Sequence, residues 1–400
     1  MKKNILYAFA FLLGVLVSCK EDNPLLPYGD DDGKAPQDVS NVTIRNTPGG
    51  AVIKYERPND TDLSYVKAVY TNTHGELKEV RASRYLDSLE VVGLGNTDEY
   101  IVTLYAVDKF ENTSSGVETK FNPLTPPVLS VKESLETAID FGGFIMNFKN
   151  ETGSDIAIYT LVKDEETNEY DVYDSYYTSL KDGKYAVRGL PNKETEFGLF
   201  VRDRFENRSD TLFFSGIPWR EDELSKKLFV PLTVAGDVGW SSYGGSPKYA
   251  WDDLIREGGN FAHTAYPEPF PHRFTMDLGV DVKLSRFRIW QRPGASVLYQ
   301  HGSPKHFKVY GRAERPEGGS VDDPMAGWTF LMECHSFKPS GLPWGQYSPE
   351  DEEYAALGEE FSFARDLSAV RYLRFELLES WSGMECSVIA ELAFWGEIQE

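Results

Sequence analysis

Apolar and polar positions alternate with a period of two along most of this chain. Short runs at 39–44, 51–55, 65–70, 86–92 and 100–107 put every second side chain on one face, and Gly, Pro, Asn and Asp separate them. That is the period of a half-buried strand, and breaks at this spacing predict β-sandwich architecture. The alternation returns in the last third, in Phe274-Thr275-Met276-Asp277-Leu278-Gly279, Leu284-Ser285-Arg286-Phe287-Arg288-Ile289-Trp290, Pro304-Lys305-His306-Phe307-Lys308-Val309-Tyr310 and Arg371-Tyr372-Leu373-Arg374-Phe375-Glu376-Leu377. A helix is expected only at 219–228, a connector whose acid-to-base order suits a helix dipole. The fold class expected is all-β.

Two segments break the pattern. After Met1-Lys2-Lys3, residues 5–17 are almost wholly apolar, too short a run to span a bilayer comfortably, so 1–18 reads as a secretory leader. Residues 19–35 follow as an acidic tether with a Gly29-Asp30-Asp31-Asp32-Gly33 patch and few β-branched residues, a composition that buries too little surface to fold.

An internal repeat sets the organisation of what remains. Ala106-Val107-Asp108-Lys109-Phe110-Glu111-Asn112-Thr113-Ser114 returns as Val201-Arg202-Asp203-Arg204-Phe205-Glu206-Asn207-Arg208-Ser209, about one sandwich module later. The expected units are therefore 36–125, 126–218, the connector 219–228, and a larger unit at 229–400. Each DxFEN copy reads as a turn in which Asn and Ser bond local backbone while Phe110 and Phe205 pack inward.

Composition narrows the function classes. The chain has 400 residues, 63 acids against 41 bases and a formal charge of −22, which opposes binding to nucleic acid or to anionic lipid surfaces. Of three cysteines, Cys334 and Cys386 are the pair left if Cys19 is modified, and the sequence leaves open whether they join. No CxxC, GxSxG, HExxH or phosphate-cradling glycine loop is present, and the six histidines show no paired spacing. Two small sandwiches and one larger one leave no chain for the cleft scaffold that glycosidases use, so no enzymatic activity is expected.

Several stretches resemble known families. Leu16-Val17-Ser18-Cys19 resembles the lipobox of bacterial lipoproteins, which implies a lipid on Cys19, and Lys20-Glu21-Asp22 resembles the signal that sends some of them to the outer face of the outer membrane. A plain solvated tether and a periplasm-facing lipoprotein fit the same residues. Residues 36–125 resemble a fibronectin type III domain with Tyr100 as its corner tyrosine; the usual early Trp is missing, with Ile53 or Tyr55 in its place. Residues 126–218 resemble the same immunoglobulin/fibronectin class.

From 229 to 400 the ordered motifs resemble the discoidin, or coagulation factor 5/8 type C, domain, a galactose-binding-like jelly roll that also supplies carbohydrate-binding modules. The resemblance implies ligand loops carrying Trp240, Tyr243, Arg292, Tyr299, His301 and Trp381, with Trp240 or Trp381 as the platform for a sugar ring and Arg292 with His301 for its hydroxyls. The bland alternative is that these Trp side chains plug the end of the sandwich. Several relatives hold a structural calcium, which here would fall to Asp252, Asp253 and Glu391; otherwise these would be an Asp turn and a satisfied strand glutamate. No other cofactor is expected. An insertion at 338–358, with Trp344 and Tyr347, reads as a contact loop or a solvated excursion.

Taken in order, lipid, tether, spacers and distal jelly roll resemble the surface lipoproteins of Sus-like glycan-uptake systems. That implies a lipid-anchored, non-catalytic carbohydrate-binding protein at the outer membrane, partnered by glycan, by the membrane through its anchor and by a porin-and-lid transporter. The competing expectation is an adhesion or scaffold protein that grips a protein or glycoprotein through the jelly roll.

Overall fold

The computed structural model describes residues 33–240, 242–294 and 296–399, so Cys19 and the leader lie outside the described residues. The chain is all-β, built as two small sandwiches followed by a larger one. In the first, the sheet Ser40–Thr47, Gly50–Glu56 and Ser88–Val91 is joined by a four-stranded sheet ordered Leu77–Ser83, Leu63–Thr71, Tyr100–Asp108, Val117–Phe121. Period-two alternation puts Tyr100, Val102, Leu104 and Ala106 in one core with Ile53, Tyr55 and Val66. The Tyr100 hydroxyl donates to Asn96 Oδ1 at 2.7 Å, which ties the strand to the loop before it.

The second sandwich repeats the plan. Asp182–Val187, Gly143–Lys149 and Glu136–Asp140 form its three-stranded sheet; Tyr170–Thr178, Ile156–Lys163, Thr195–Asp203 and Leu212–Gly216 form the four-stranded one. A helix at Pro127–Glu133 buries Val128 and Val131 in the same core. Seven residues are too few for the 3.6 period to stand out against the strand pattern around it.

The two DxFEN copies are matched turns. Asp108 Oδ1 accepts the N–H groups of Phe110 and Asn112, both at 2.8 Å, and Asp203 Oδ1 accepts those of Phe205 and Asn207 at 2.8 and 3.0 Å. Glu111 and Glu206 take left-handed backbone at φ 67° and 66° to close them. Phe205 does not pack into its own module as expected. It lies against Gly93 of the first sandwich, where an added Cβ would come within 2.7 Å of its ring, and Asn207 Nδ2 donates to Gly93 O at 3.0 Å. The second turn has a neighbour to bury against, so the ring covers the junction.

The larger sandwich turns on one long strand, His272–Trp290. Its first half pairs with Val370–Ser380 and its second half with Glu391–Ile398, and the changeover brackets Gly279 at φ 78°. Phe274, Phe287, Phe307, Phe375 and Phe394 fill the core, with Phe274 stacked on Phe375 at 4.8 Å. The connector is not a helix. Asp222–Glu223 extends the sheet edge beside Glu391–Ile398, Leu224 N–H donates to Phe394 O at 2.9 Å, and only Lys226–Leu228 makes a 3-10 turn. An open strand edge supplies backbone partners that a three-turn helix would have to find within itself.

Cys334 and Cys386 are buried free thiols, not a disulfide. The 338–358 insertion is ordered: Ser348 and Asp351 form a capping box on the helix Pro349–Leu357, and Asp351 also accepts from Ser340. Trp344 on it stays 63% exposed, while Tyr347 packs beside Tyr299. No helix among the described residues is long and apolar enough to cross a membrane.

Candidate functional site

At one end of the larger sandwich, three loops and a two-stranded ribbon enclose a cavity of about 180 Å³. The ribbon pairs Ala262–His263 with Val388–Ile389, and it fixes His263 at the cavity wall. Val388 N–H donates to Gly302 O at 2.8 Å, holding the 299–303 loop against the segment that carries Met384 and Cys386. Gly302 is needed there: at φ 81°, an added Cβ would stand 2.8 Å from Cys386 Sγ.

Of the six residues expected to bind ligand, Tyr243, Arg292 and His301 meet at this cavity, although 58 positions separate the first from the last. Tyr243 is 73% exposed, and its ring lies 5.1 Å from that of His263. Arg292 sits over the Phe261 ring at 4.2 Å and donates both Nε and Nη2 to Glu257 O. Among the described residues, its Nη1 has no protein acceptor. Burial pulls the Arg292 pKa down from its ordinary value, with Glu257 acting in the opposite sense. Tyr243 and His301 both hold left-handed backbone, at φ 53° and 43°, a conformation that costs non-glycine residues energy and collects at binding sites.

The other three do not join them. Trp240 is half-buried and meets Phe274 edge-on at 5.5 Å, so its ring is core rather than platform. Tyr299 is 1% exposed and packs at right angles to Trp381 at 5.2 Å. Trp381 donates its indole N–H to Ser336 Oγ at 3.1 Å, which satisfies its one polar atom inside the protein. Tyr299 and Trp381 therefore plug the sandwich end beneath the insertion.

Sequence reasoning missed Phe261, His263, Tyr266, Met384 and Cys386 as site residues, and these complete the lining. The period-two run Phe261-Ala262-His263 close to Tyr266 carried the signal, but two residues are too short a strand to register. His263 Nδ1–H donates to Thr264 O at 2.6 Å, which leaves Nε2 as the acceptor. Burial lowers its pKa below the ordinary imidazole value, and the Arg292 charge adds to that. The cavity thus combines aromatic faces, one guanidinium and the imidazoles of His263 and His301, with no carboxylate on its lining.

Each of the three residues expected to hold calcium has a protein partner. Lys226 Nζ donates to Glu391 Oε1 at 2.6 Å and to Asp253 Oδ1 at 2.8 Å, so an ammonium already stands between them. Asp252 turns away to Arg256 Nη2 at 2.7 Å and caps Leu254 N–H. A wider cleft of about 670 Å³ on the second sandwich is mostly charged, and its rim charges pair as Lys163–Glu196 and Lys193–Glu165.

Three family models match the chain, each a domain of unknown function: DUF4959 at 36–123, DUF5126 at 124–227 and DUF5000 at 251–396. A comparison with curated proteins finds no match. Among solved structures, SusE-like protein BT2857 is 32% identical, with 68% of this chain covering 100% of that one and a TM-score of 0.45. The chain belongs to the SusE-like family. Lower similarity joins this SusE-like chain to the C-terminal domain of a chitobiase from Bacteroides fragilis, at 15% identity over 45% of this chain and 100% of that one, TM-score 0.31. A two-domain fibronectin type III segment from chicken tenascin is 14% identical over 46% of this chain and 99% of that one, TM-score 0.22.

Proposed function

We propose that this SusE-like chain is a non-catalytic carbohydrate-binding protein of the cell surface, carried on the outer membrane by a lipid on Cys19, and that it serves a glycan-uptake system. The observation that carries the binding role is the convergence of Tyr243, Arg292 and His301 with Phe261, His263 and Tyr266 around one small cavity. A sugar offers an apolar C–H face and vicinal hydroxyls; Tyr243 supplies the exposed ring, Arg292 the donors and His263 Nε2 an acceptor. At about 180 Å³ the cavity is below the roughly 300–1,000 Å³ of a site that engulfs a drug-sized ligand, which suits a single ring or chain end. Modest affinity per site is offset by many anchored copies acting on one polysaccharide.

In this reading the larger sandwich is the galactose-binding-like jelly roll, the two smaller ones are spacers, and the uptake system is of the porin-and-lid kind. The test is titration of purified protein against a glycan array, comparing wild type with Tyr243→Ala and Arg292→Ala. Saturable binding that both substitutions weaken supports the reading. No glycan bound, or binding indifferent to both changes, would sink it and favour a protein or glycoprotein partner.

A further inference from the structure

The hairpin Pro304–Arg312 and Thr329–His335 forms one edge of the large sheet, and it brings together residues that sequence spacing keeps apart. His306 and His335 are direct Cα partners across it, 29 positions distant in the chain. Phe307, Val309 and Cys334 are buried, so period-two alternation on either side of them sends His306, Glu333 and His335 to the outer face; a register shift at Met332 lets Leu331 turn inward as well. There the two imidazole rings stack 4.3 Å apart at 12°, and His306 Nε2 lies 2.6 Å from Glu333 Oε1. One ligand atom from each of the three residues falls within 4.8 Å of the others.

We propose that His306, Glu333 and His335 form a site for a borderline divalent metal such as Zn²⁺, separate from the sugar cavity. Two imidazole nitrogens and one carboxylate are a donor set that zinc accepts, with a fourth position left for water or an outside ligand. Zinc–nitrogen bonds of about 2.0–2.1 Å put tetrahedral donors roughly 3.3 Å apart, so the three side chains need to close by about 1.5 Å at most. The strands fix the Cα positions, while the exposed side chains are free to make that adjustment. Hard cations are poor competitors here, because they prefer all-oxygen shells.

Two cations stand close by and define the competition. Lys308 Nζ is 4.0 Å from Glu333 Oε1, and Lys305 is held by Glu379 at 2.7 Å. Lys308 makes only the longer contact and lies on a flexible stem, so a metal displaces it at small cost. Glu379, the Cα partner of His306 on the other neighbouring strand, is occupied by Lys305 and is left out of the set.

The experiment is calorimetric titration of Zn²⁺ into the full chain. The expected result is one equivalent bound by wild type and by a control His74→Ala on an exposed loop. His306→Ala, His335→Ala and the isosteric Glu333→Gln should each weaken it at least about tenfold, since even groups one layer behind a metal's ligands cost that much. The proposal is overturned if wild type shows no saturable binding, or if binding survives all three substitutions unchanged.

Discussion

Glu221 and Arg286 are joined by two parallel contacts, Nε to Oε1 and Nη2 to Oε2, each 3.2 Å. Glu221 Oε1 also accepts from Arg188 Nη1 of the second sandwich at 3.1 Å and from Ser285 Oγ at 2.5 Å. One buried carboxylate thus pins the second sandwich to the third, with Arg365 donating to Ile139 O at 2.6 Å alongside it. Glu221→Ala removes the acceptor the two guanidinium groups share, while Arg286 keeps Glu360 at 2.8 Å and Arg188 keeps Phe141 O at 3.0 Å, so the loss should fall below the about 3–5 kcal/mol of a buried charge left with no partner. Denaturant unfolding should show the loss, and a double-mutant cycle with Arg286→Ala should show strong coupling; additive effects would contradict the bridging role.

Lys226 holds the position a cation would take between Asp253 and Glu391. Calcium should therefore leave the thermal transition of the larger sandwich where it is. Lys226→Ala strands Glu391, whose side chain is 3% exposed, and should cost about 3 kcal/mol or more. A calcium-dependent rise in melting temperature of the wild type would refute this assignment.

Trp381 and Arg292 should separate cleanly in their effects. Trp381→Ala opens a void beside Tyr299 and should cost about 3 kcal/mol of stability. Arg292→Ala should weaken ligand binding with little change in folding, because its partners are one carbonyl and a ring face. Melting curves paired with glycan titrations distinguish the two, and a Trp381→Ala protein that melts normally but binds nothing would restore Trp381 to the ligand.

Glu359 is buried, and burial pushes its pKa up from 4.5 to about 7, against an accepted hydrogen bond from Phe337 N–H that favours the charged form. Because the folded value is the higher one, the proton binds the folded state more tightly. The associated stability is complete below about 4.5 and is lost as pH rises through about 7. The full difference is about 3 kcal/mol, and Glu359→Gln should abolish this share of the slope when stability is followed from pH 4 to pH 8. Identical slopes in the two proteins would count against it.

Gly93→Ala should loosen the first junction. The new Cβ meets the Phe205 ring at 2.7 Å, and φ of 82° disfavours any side chain there. Faster proteolytic cleavage between the first two sandwiches is the expected readout, and unchanged cleavage would show that the contact carries no weight.

Legibility differed sharply between fold and site. The DxFEN turns were readable because Asp and Ser bond backbone within the same module and each Asn donates to its own turn's Asp carboxylate rather than to local backbone as expected, so these bonds depend on local sequence. The partner of Phe205 was not, because Gly93 belongs to another module. The same contrast divides the expected ligand residues: Arg292 and His301 are at the cavity, while Trp381 and Tyr299, equally aromatic and polar on paper, spend themselves on each other.

By itself the sequence determined the strand period, the repeated module and the acidic charge, since these rest on side-chain alternation, local turns and composition. Only tertiary structure decided that Lys226 stands where a metal was expected, that His306 faces His335, and that Phe261, His263 and Tyr266 complete one cavity with Tyr243. Those outcomes depend on strand register and loop closure between distant residues, which no local pattern encodes.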